Sequence, residues 1–168
     1  MNVLVQYLIR DFLYPDIGRT KEIMSYIRPL LRINDSQLES FITRSECEYY
    51  FSLSWILTWH SHVVYDRDDL LMLTDLFLAF HPLIPIYVAT VVRSEVLEQD
   101  CEMSSIHGFL LKFPEEFDVN ELVHNSVELF NKIPAHKIAS TGNIRLNSRL
   151  ISFGSIMTRN TLSGSWSY

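Results

Sequence analysis

Histidine is the residue type in this sequence that could most directly carry metal or acid–base chemistry. The chain has six histidines, and His60 and His62 form a His-x-His pair in a stretch that we expect to be helical. A zinc-binding helix places its histidines four residues apart so that both rings lie on one face, whereas a spacing of two points them in different directions. The histidines are therefore predicted to be structural or surface residues, with no metal site.

The motifs of nucleophilic and nucleotide chemistry are absent from the sequence. It contains no G-x-S-x-G, no phosphate-binding glycine loop and no G-x-G-x-x-G, and it has only five glycines. Such loops need glycine because backbone N–H groups must approach a phosphate closely. We therefore predict no catalytic residue and no cofactor of the chain's own.

A charged segment in the middle of the chain is a candidate partner contact. Asp66, Arg67 and Asp68 directly precede an apolar run. Acidic residues are favourable in the first turn of a helix, because they interact with its unbonded N–H groups and its dipole. These residues are predicted to form the exposed beginning of a helix, and contact with a partner protein is the functional alternative.

The charge of the chain argues against nucleic acid as a partner. The net charge is −6, and residues 141–168 contain three arginines and no acid, so the first 140 residues carry −9. Binding to a phosphate backbone requires clustered lysine and arginine to displace counterions. An acidic protein of this kind is expected to recognise other proteins instead.

Cysteine usage and hydropathy indicate the compartment. Cys47 and Cys101 are far apart and belong to no C-x-x-C motif, a pattern typical of a reducing environment. No signal peptide is apparent at the amino terminus. The longest apolar run, Leu83 to Val92, is about half of the ~20 residues needed for a bilayer span. We expect a cytoplasmic protein without a membrane span.

Helical signals dominate the coarse secondary structure. Apolar residues recur at spacings of three and four, capping residues precede several of these runs, and prolines follow them. Thr20 and Ser36 are predicted helix caps, Asp66 or Asp68 caps a third helix, and Asp118 caps a fourth. A kink or early end is expected at Pro29. The predicted helices span 3–13, about 20–31, 36–44, 51–64, 69–80, 83–97, 103–112 and 119–132.

The predicted core lies around the segment Phe51 to Val64, which is apolar on nearly every side and should occupy the centre of the fold. Trp55 and Trp59 are four residues apart and should share one face of this helix. Asp75 lies in an apolar context, so it is predicted to be a structural carboxylate with hydrogen-bond partners. Pro82 and Pro85 are expected to join the core, where one of them opens the helix 83–97.

The composition changes near the carboxyl terminus. Residues 139–168 are rich in Ser, Thr, Asn, Gly and Arg, and they are predicted to form a loosely ordered tail after a helical domain at 1–138. Scattered apolar residues in this segment leave open the alternative of one further amphipathic turn.

Three stretches resemble the late helices of TBC domains, the domains of Rab GTPase-activating proteins. They are Phe51-Ser-Leu-Ser-Trp-Ile-Leu-Thr-Trp59, Leu70-Leu-Met-Leu-Thr-Asp-Leu-Phe-Leu-Ala79 and His81-Pro-Leu-Ile-Pro-Ile-Tyr87. Thr74 replaces the aromatic residue that the family has before Asp75. The last stretch is most similar to a branch that is anchored in the endoplasmic reticulum and acts on the Rab of early secretory traffic.

The resemblance covers about residues 5–138 and implies an all-α fold. It implies the right-angled and antiparallel helix bundle of the C-terminal lobe of a TBC domain. The implied partner is a Rab-family small GTPase, which itself holds the GTP and Mg²⁺. The implied setting is vesicle traffic at the surface of the endoplasmic reticulum or Golgi.

The family's chemistry depends on two residues that approach the Rab nucleotide. An arginine finger from an I-x-x-D-x-x-R motif neutralises charge in the transition state, an effect worth about 10³ to 10⁵ in rate, and a glutamine from Y-x-Q orients the attacking water. The sequence contains neither motif. Leu13-x-x-Asp16-x-x-Arg19 has the arginine spacing, but Pro15 and Gly18 interrupt it and the family places this motif earlier in the domain. Val5-Gln6-Tyr7 has the wrong order.

Two functional hypotheses follow from these residues. The first is a Rab GTPase-activating TBC protein represented here by a portion without the two fingers, which is therefore inactive alone. The second is a non-catalytic helical module that binds a Rab or another protein. A measurement of GTP hydrolysis separates them.

Overall fold

The computed structural model describes residues 12–13, 15–47, 49–91, 95–112 and 117–141. Within these ranges the regular structure is helical and contains no strand, which confirms the all-α prediction. The predicted helix 3–13 lies almost wholly outside them, as does Gln6. The described α-helices are α1 Gly18–Met24, α2 Ile27–Asn34, α3 Ser36–Arg44, α4 Phe51–Leu57, α5 Arg67–Ala79, α6 Ile84–Val91, α7 Met103–Leu111, α8 Val119–Lys132 and α9 Ala135–Thr141.

Helix α6 lies at the centre of the fold. Every residue from Ile84 to Thr90, Pro85 included, is buried, and α6 contacts α2, α4, α5 and α8. Its sequence explains this position, because a helix that is apolar all round must be covered on every side. The predicted helix 83–97 is shorter than expected: α6 ends at Val91, and Glu95–Glu98 form a 3-10 helix.

The prediction that Phe51–Val64 forms the central helix was wrong. Helix α4 ends at Leu57, whose side chain is half exposed. Trp59 and His60 follow with φ angles of 52° and 63°, in the left-handed region that a right-handed helix cannot continue through. Trp55 and Trp59 therefore do not share a helix face.

Proline divides the second predicted helix in two. Helix α1 ends at Met24 and α2 begins at Ile27, with Pro29 in the first turn of α2. The proline ring conflicts with the carbonyl four residues earlier, that of Ser25, and Pro29 has no N–H to bond to it. The expected interruption is therefore present, one turn before the proline itself.

The beginning of α1 differs from the prediction. Gly18, which interrupts the Leu13-x-x-Asp16-x-x-Arg19 spacing, is the first residue of α1, and its N–H donates to Asp16 Oδ1 at 2.7 Å. Thr20 is buried inside α1 and does not cap it. Asp16 satisfies an N–H group that the first turn of a helix leaves unbonded, so the signal for this helix was the aspartate.

Helix caps were predicted correctly at two of four positions, since neither Thr20 nor Ser36 is a cap. Asp66 caps α5 and accepts from the N–H groups of Asp68 and Asp69 at 2.9 and 3.0 Å. Asp118 caps α8, whose bounds match the prediction. For α3 the cap is Asp35, which accepts from Leu38 N–H at 2.9 Å, and not Ser36.

Glu39 joins α3 to α2. Its carboxylate is buried and accepts from Arg28 Nε at 2.9 Å and Thr43 Oγ1 at 3.0 Å. Arg32 lies 3.6 Å away. Burial opposes ionisation, but the hydrogen bonds from Arg28 and Thr43, together with the charges of Arg32 and Arg28, outweigh it and lower the pKa of Glu39. The carboxylate is thus held charged between two helices.

Helix α9 was not predicted. It begins directly after Pro134, a residue expected only to close α8, and proline fits well at the start of a helix. The predicted domain boundary after residue 138 falls within α9, and Ile138 is buried at 1% exposure. The rest of the predicted tail, residues 142–168, lies outside the described residues.

The carboxyl-terminal end of α8 is tied to the central helix. The Tyr87 hydroxyl donates to the carbonyl of Ile133 at 2.8 Å, deep in the core. The Phe130 ring lies against Tyr87, Phe80 and His81, with centroid distances of 5.0, 5.1 and 5.2 Å. These contacts fix α8 on α6 through one hydrogen bond and an aromatic cluster.

A second aromatic cluster surrounds the left-handed turn after α4. His60 is fully buried, with its ring 6.0 Å from Trp55 and 5.6 Å from Phe77. Trp59 is half-buried and contacts Phe77 edge-on at 5.7 Å. Packing of these rings compensates for the unfavourable backbone at two successive residues.

Glu46 offers a test of backbone strain at the end of α3. It is exposed and adopts a φ of 57°, a conformation that favours glycine. We expect Glu46→Gly to raise the free energy of unfolding by about 0.5–1 kcal/mol, measured by urea denaturation. Gln37→Gly, at an exposed position inside α3, is the control and should lower it by about 1 kcal/mol. Destabilisation by both variants would contradict the strain at Glu46.

His60 predicts a loss of stability in acid. Burial, with a smaller contribution from the charge of His62, lowers its pKa from 6.5 to about 3. As the pH falls from 6.5 towards 3, His60 is therefore protonated in the unfolded chain but remains neutral in the folded chain. At about 1.4 kcal/mol per pKa unit, roughly 3 kcal/mol is lost between pH 6.5 and about pH 4.

Denaturation at several pH values measures this effect. His60→Asn should flatten the pH dependence, because asparagine does not titrate and tolerates the left-handed backbone. His136→Asn changes an exposed histidine and serves as the control. Equal slopes for His60→Asn and the wild type between pH 4 and pH 6.5 would show that His60 does not remain neutral in the fold.

Candidate functional site

The amino ends of α5 and α8 together form an acidic surface. Asp66 and Asp118 cap the two helices, which contact each other, and Asp68 and Asp69 lie in the first turn of α5. Partial desolvation, followed by the charges of Asp66, Asp68 and Asp118, raises the pKa of Asp69. We call these four aspartates the acidic surface. It lies where two helix dipoles present their positive ends.

The predicted contact residues are exposed on this surface. The side chains of Asp66, Arg67 and Asp68 all lie in solvent. Tyr65 precedes them and is 94% exposed, an unusual position for a large aromatic side chain. The sequence identified the acidic residues through their capping pattern. Tyr65 gave no such signal, because exposure depends on the turn that precedes α5.

Helix α5 also presents apolar side chains to solvent. Leu71, Met72 and Leu78 are 51%, 39% and 47% exposed, whereas Leu73 and Phe77 are buried. The buried pair is four residues apart and forms the inner stripe of the helix. Asp75 lies two residues from each of these, so it points away from the core and is exposed. Its prediction as a buried structural carboxylate was wrong for this reason.

The other residues predicted to form the core are differently placed. Trp55 is fully buried, with its ring packed edge-on against Phe51 at 5.6 Å. Pro82 and Pro85 are buried beside and within the first turn of α6, and Trp59 is only half-buried. Trp59 contacts α5 through Phe77, and the others lie in the core around α4 and α6.

Arg19 has a local partner. Its guanidinium Nη1 lies 2.6 Å from Glu22 Oε2 within α1. Asp16, the acid of the Leu13-x-x-Asp16-x-x-Arg19 spacing, accepts from Gly18 N–H. Both charged groups of this spacing therefore make contacts within the first turns of α1.

The histidines are dispersed. His60 and His81 are buried, and His81 Nδ1 accepts from Leu83 N–H at 3.1 Å. His62 Nδ1 lies 2.7 Å from Thr58 Oγ1, and His124 lies 4.0 Å from Glu128. Across the described ranges, no group of three or more His, Cys, Asp or Glu side chains is arranged to hold a metal ion.

A pocket of about 490 Å³ lies on another part of the molecule. It lies between the α1–α2 interruption and the α3–α4 connection. Sequence reasoning missed it, because the pocket depends on how two loops meet. A weak signal was available: residues 19–32 contain four basic residues and one acidic residue, in a chain whose net charge is −6. None of the described helices is long and apolar enough to cross a bilayer.

The capping role of Asp66 can be separated from its charge. Asp66→Ala should lower the free energy of unfolding by about 1 kcal/mol, because two N–H groups lose their acceptor. Asp66→Ser keeps an acceptor and removes a repulsive charge, so it should cost less. Asp68→Ala removes a neighbouring carboxylate without a cap and should change stability by less than about 0.5 kcal/mol. Thermal denaturation checks all three, and equal losses for Asp66→Ala and Asp66→Ser would exclude the cap as the cause.

Comparison with known proteins gives a consistent set of relatives. No family profile matches the chain. "TBC1 domain family member 20" of Mus musculus is 36% identical over 135 residues, which is 78% of this chain and 34% of that protein, and the Homo sapiens protein of the same name gives the same values. "GTPase-activating protein gyp10" of Schizosaccharomyces pombe is 30% identical over 141 residues, 80% of this chain and 38% of that protein. The chain spans about a third of the length of the curated relatives it matches.

Proposed function

Because this chain belongs to the TBC domain family and one of its relatives is named as a GTPase-activating protein, we propose that it is part of a Rab GTPase-activating domain. In this proposal the chain supplies a helical scaffold and a share of the surface that contacts the Rab. The observation that carries it is similarity over 78% of the chain, at 36% identity, to a TBC protein.

The proposed contribution is recognition and not acceleration of hydrolysis. These 168 residues contain neither I-x-x-D-x-x-R nor Y-x-Q. The spacing that comes nearest ends in Arg19, whose guanidinium is held by Glu22 at 2.6 Å. An arginine finger must instead deliver its charge to the transferring phosphoryl group. Stimulation of GTP hydrolysis therefore requires groups that these residues do not supply.

We propose that the Rab-contact surface includes the amino end of α5 and its outer face. Asp66, Arg67 and Asp68 are exposed there, and Leu71 and Met72 follow on the solvent side of the same helix. Exposed apolar side chains bordered by charges are typical of protein interfaces. The same feature favours the second candidate, a non-catalytic module that binds a Rab or another protein.

The proposed site of action is the cytoplasmic surface of the endoplasmic reticulum or Golgi. Its support is the resemblance of the stretch His81 to Tyr87 to the branch that acts in early secretory traffic. Association with the membrane would then occur through partners, and the function would belong to vesicle transport.

Single-turnover GTP hydrolysis on a panel of purified Rab proteins tests the proposal. The chain is expected to leave the intrinsic rate of each Rab unchanged within about twofold, far below the 10³ or more that an arginine finger contributes. Arg19→Ala should behave as the wild type does, because its charge is already neutralised by Glu22. Arg44→Ala, at an exposed position of α3, is the matched control.

Binding of the same Rabs is measured in parallel. Saturable binding of at least one Rab, weakened by Asp68→Lys and unaffected by Glu128→Lys on α8, would support the contact surface. If the chain stimulates GTP hydrolysis and this stimulation is lost in Arg19→Ala, the proposal that the chain contributes recognition and not acceleration is contradicted. If circular dichroism shows that the chain is folded and it binds none of the Rabs in the panel, the proposal that it recognises a Rab is contradicted.

A further inference from the structure

The outer face of α5 is an exposed stripe of acidic and apolar side chains. Asp68, Leu71, Asp75 and Leu78 recur at spacings of three and four residues, so they follow one another along one side of the helix, and Met72 lies beside them. The three apolar side chains are 51%, 39% and 47% exposed in chain order. We call these five residues the α5 stripe.

The acids of the α5 stripe have no partner in the described part of the chain. Neither the Asp68 nor the Asp75 carboxylate makes a hydrogen bond or an ion pair with a described residue. Asp66 and Asp69 add negative charge at the start of the helix, and Arg67 is the single basic residue of α5. Exposed apolar groups among unpaired acids favour a partner that carries apolar and basic side chains.

Residues 142–168 of the same chain have that composition. They contain Arg145, Arg149 and Arg159 and no acidic side chain, whereas the first 140 residues carry a net charge of −9. Spacings of four, three and four bring apolar side chains to one face when a segment is helical. Four apolar residues have these spacings, namely Leu146, Leu150, Phe153 and Met157.

The segment starts close enough to α5 to reach the stripe. Helices α5 and α8 run side by side in the same direction: the charge of Asp118 acts on Asp69 at their amino ends, and the rings of Phe80 and Phe130 are 5.1 Å apart at their carboxyl ends. From Phe130 to Thr141, the end of α9, the chain spans at most about 25 Å. Residues 142–168 extend up to about 90 Å, several times the length of α5 at about 20 Å.

The covalent connection makes a weak attraction sufficient. A segment joined to its own binding surface meets that surface at an effective concentration on the order of millimolar. Exposed ion pairs each contribute little, and contact between apolar side chains adds to them. Together they need to give only a millimolar affinity for the segment to occupy the stripe about half of the time.

We propose that residues 142–168 pack on the α5 stripe, with their arginines beside Asp68 and Asp75 and their apolar side chains on the exposed apolar residues of the stripe. The packed segment covers the surface proposed for contact with a Rab, so the two compete for it. That competition rests on the proposed function, whereas packing of the segment on α5 does not.

Carbodiimide cross-linking of the full chain tests the packing, because this reagent joins an amine to a carboxylate in contact with it. Arg149→Lys keeps the positive charge and introduces the amine. Peptide mass spectrometry should find the introduced lysine joined to Asp75 or Asp68 within one molecule. The yield should fall at least about threefold between about 0.1 M and about 1 M salt, since salt screens exposed charges.

Matched variants separate the α5 stripe from other acidic surfaces. In the Arg149→Lys background, Asp68→Asn together with Asp75→Asn should remove the cross-link. Glu102→Gln, at an exposed acid directly before α7, is the control and should leave the yield unchanged. Equal yields at acids on several faces of the molecule, or cross-links only between two copies of the chain, would overturn the proposal.

The apolar contribution is tested in the same background. Leu150→Ser together with Phe153→Ser should lower the yield at least about threefold, because apolar area is then no longer removed from water. An unchanged yield in this variant would show that charge alone brings the segment to α5, and it would contradict packing on the apolar residues of the stripe.

Rab binding tests the competition separately. Arg145→Glu together with Arg149→Glu replaces attraction by repulsion, so a Rab that binds the chain should bind this variant about three- to tenfold more tightly. A cross-link on α5 with unchanged Rab affinity in this variant would contradict the competition. If no Rab binds either form, the proposed function is contradicted, and the cross-link still decides whether the segment packs on α5.

Discussion

Burial of helix α6 on every side is the constraint on which the rest of the structure depends. A helix satisfies its own backbone hydrogen bonds, so it can lie at the centre without polar partners. Its side chains, from Ile84 to Thr90, then require cover in all directions. Helices α2, α4, α5 and α8 supply that cover. The positions of the acidic surface and of the exposed face of α5 follow, because α5 must place Leu73 and Phe77 inward.

The sequence predicted those features that depend on local chemistry. Asp66 and Asp118 were identified as caps because an aspartate before an apolar run satisfies N–H groups within its own helix. Pro29 interrupted its helix for an equally local reason. Prediction failed where tertiary packing decided the outcome. Nothing in the residue types of Trp59 and His60 signals a left-handed backbone, which the rings of Trp55 and Phe77 stabilise from elsewhere in the fold.

The same distinction applies to the two candidate sites. The acidic residues were predictable because they are helix caps and first-turn aspartates, whereas the pocket forms where two separate connections meet. The apolar context of Asp75 was misleading. Helix α5 exposes leucines as well as charged residues, so the sequence does not show which of its faces is in solvent. The proposed function rests on family resemblance. Composition and periodicity alone led only to an all-helical protein that binds other proteins.

The hydrogen bond from Tyr87 to the Ile133 carbonyl defines how much chain a stable fragment must contain. A fragment that stopped at Lys132 would keep all of α8 and yet remove the acceptor of a deeply buried hydroxyl. Ile138, at 1% exposure, extends the requirement further along the chain. Any fragment that keeps this packing therefore extends into α9, and a truncation placed at the end of α8 would cut through the core and not beside it.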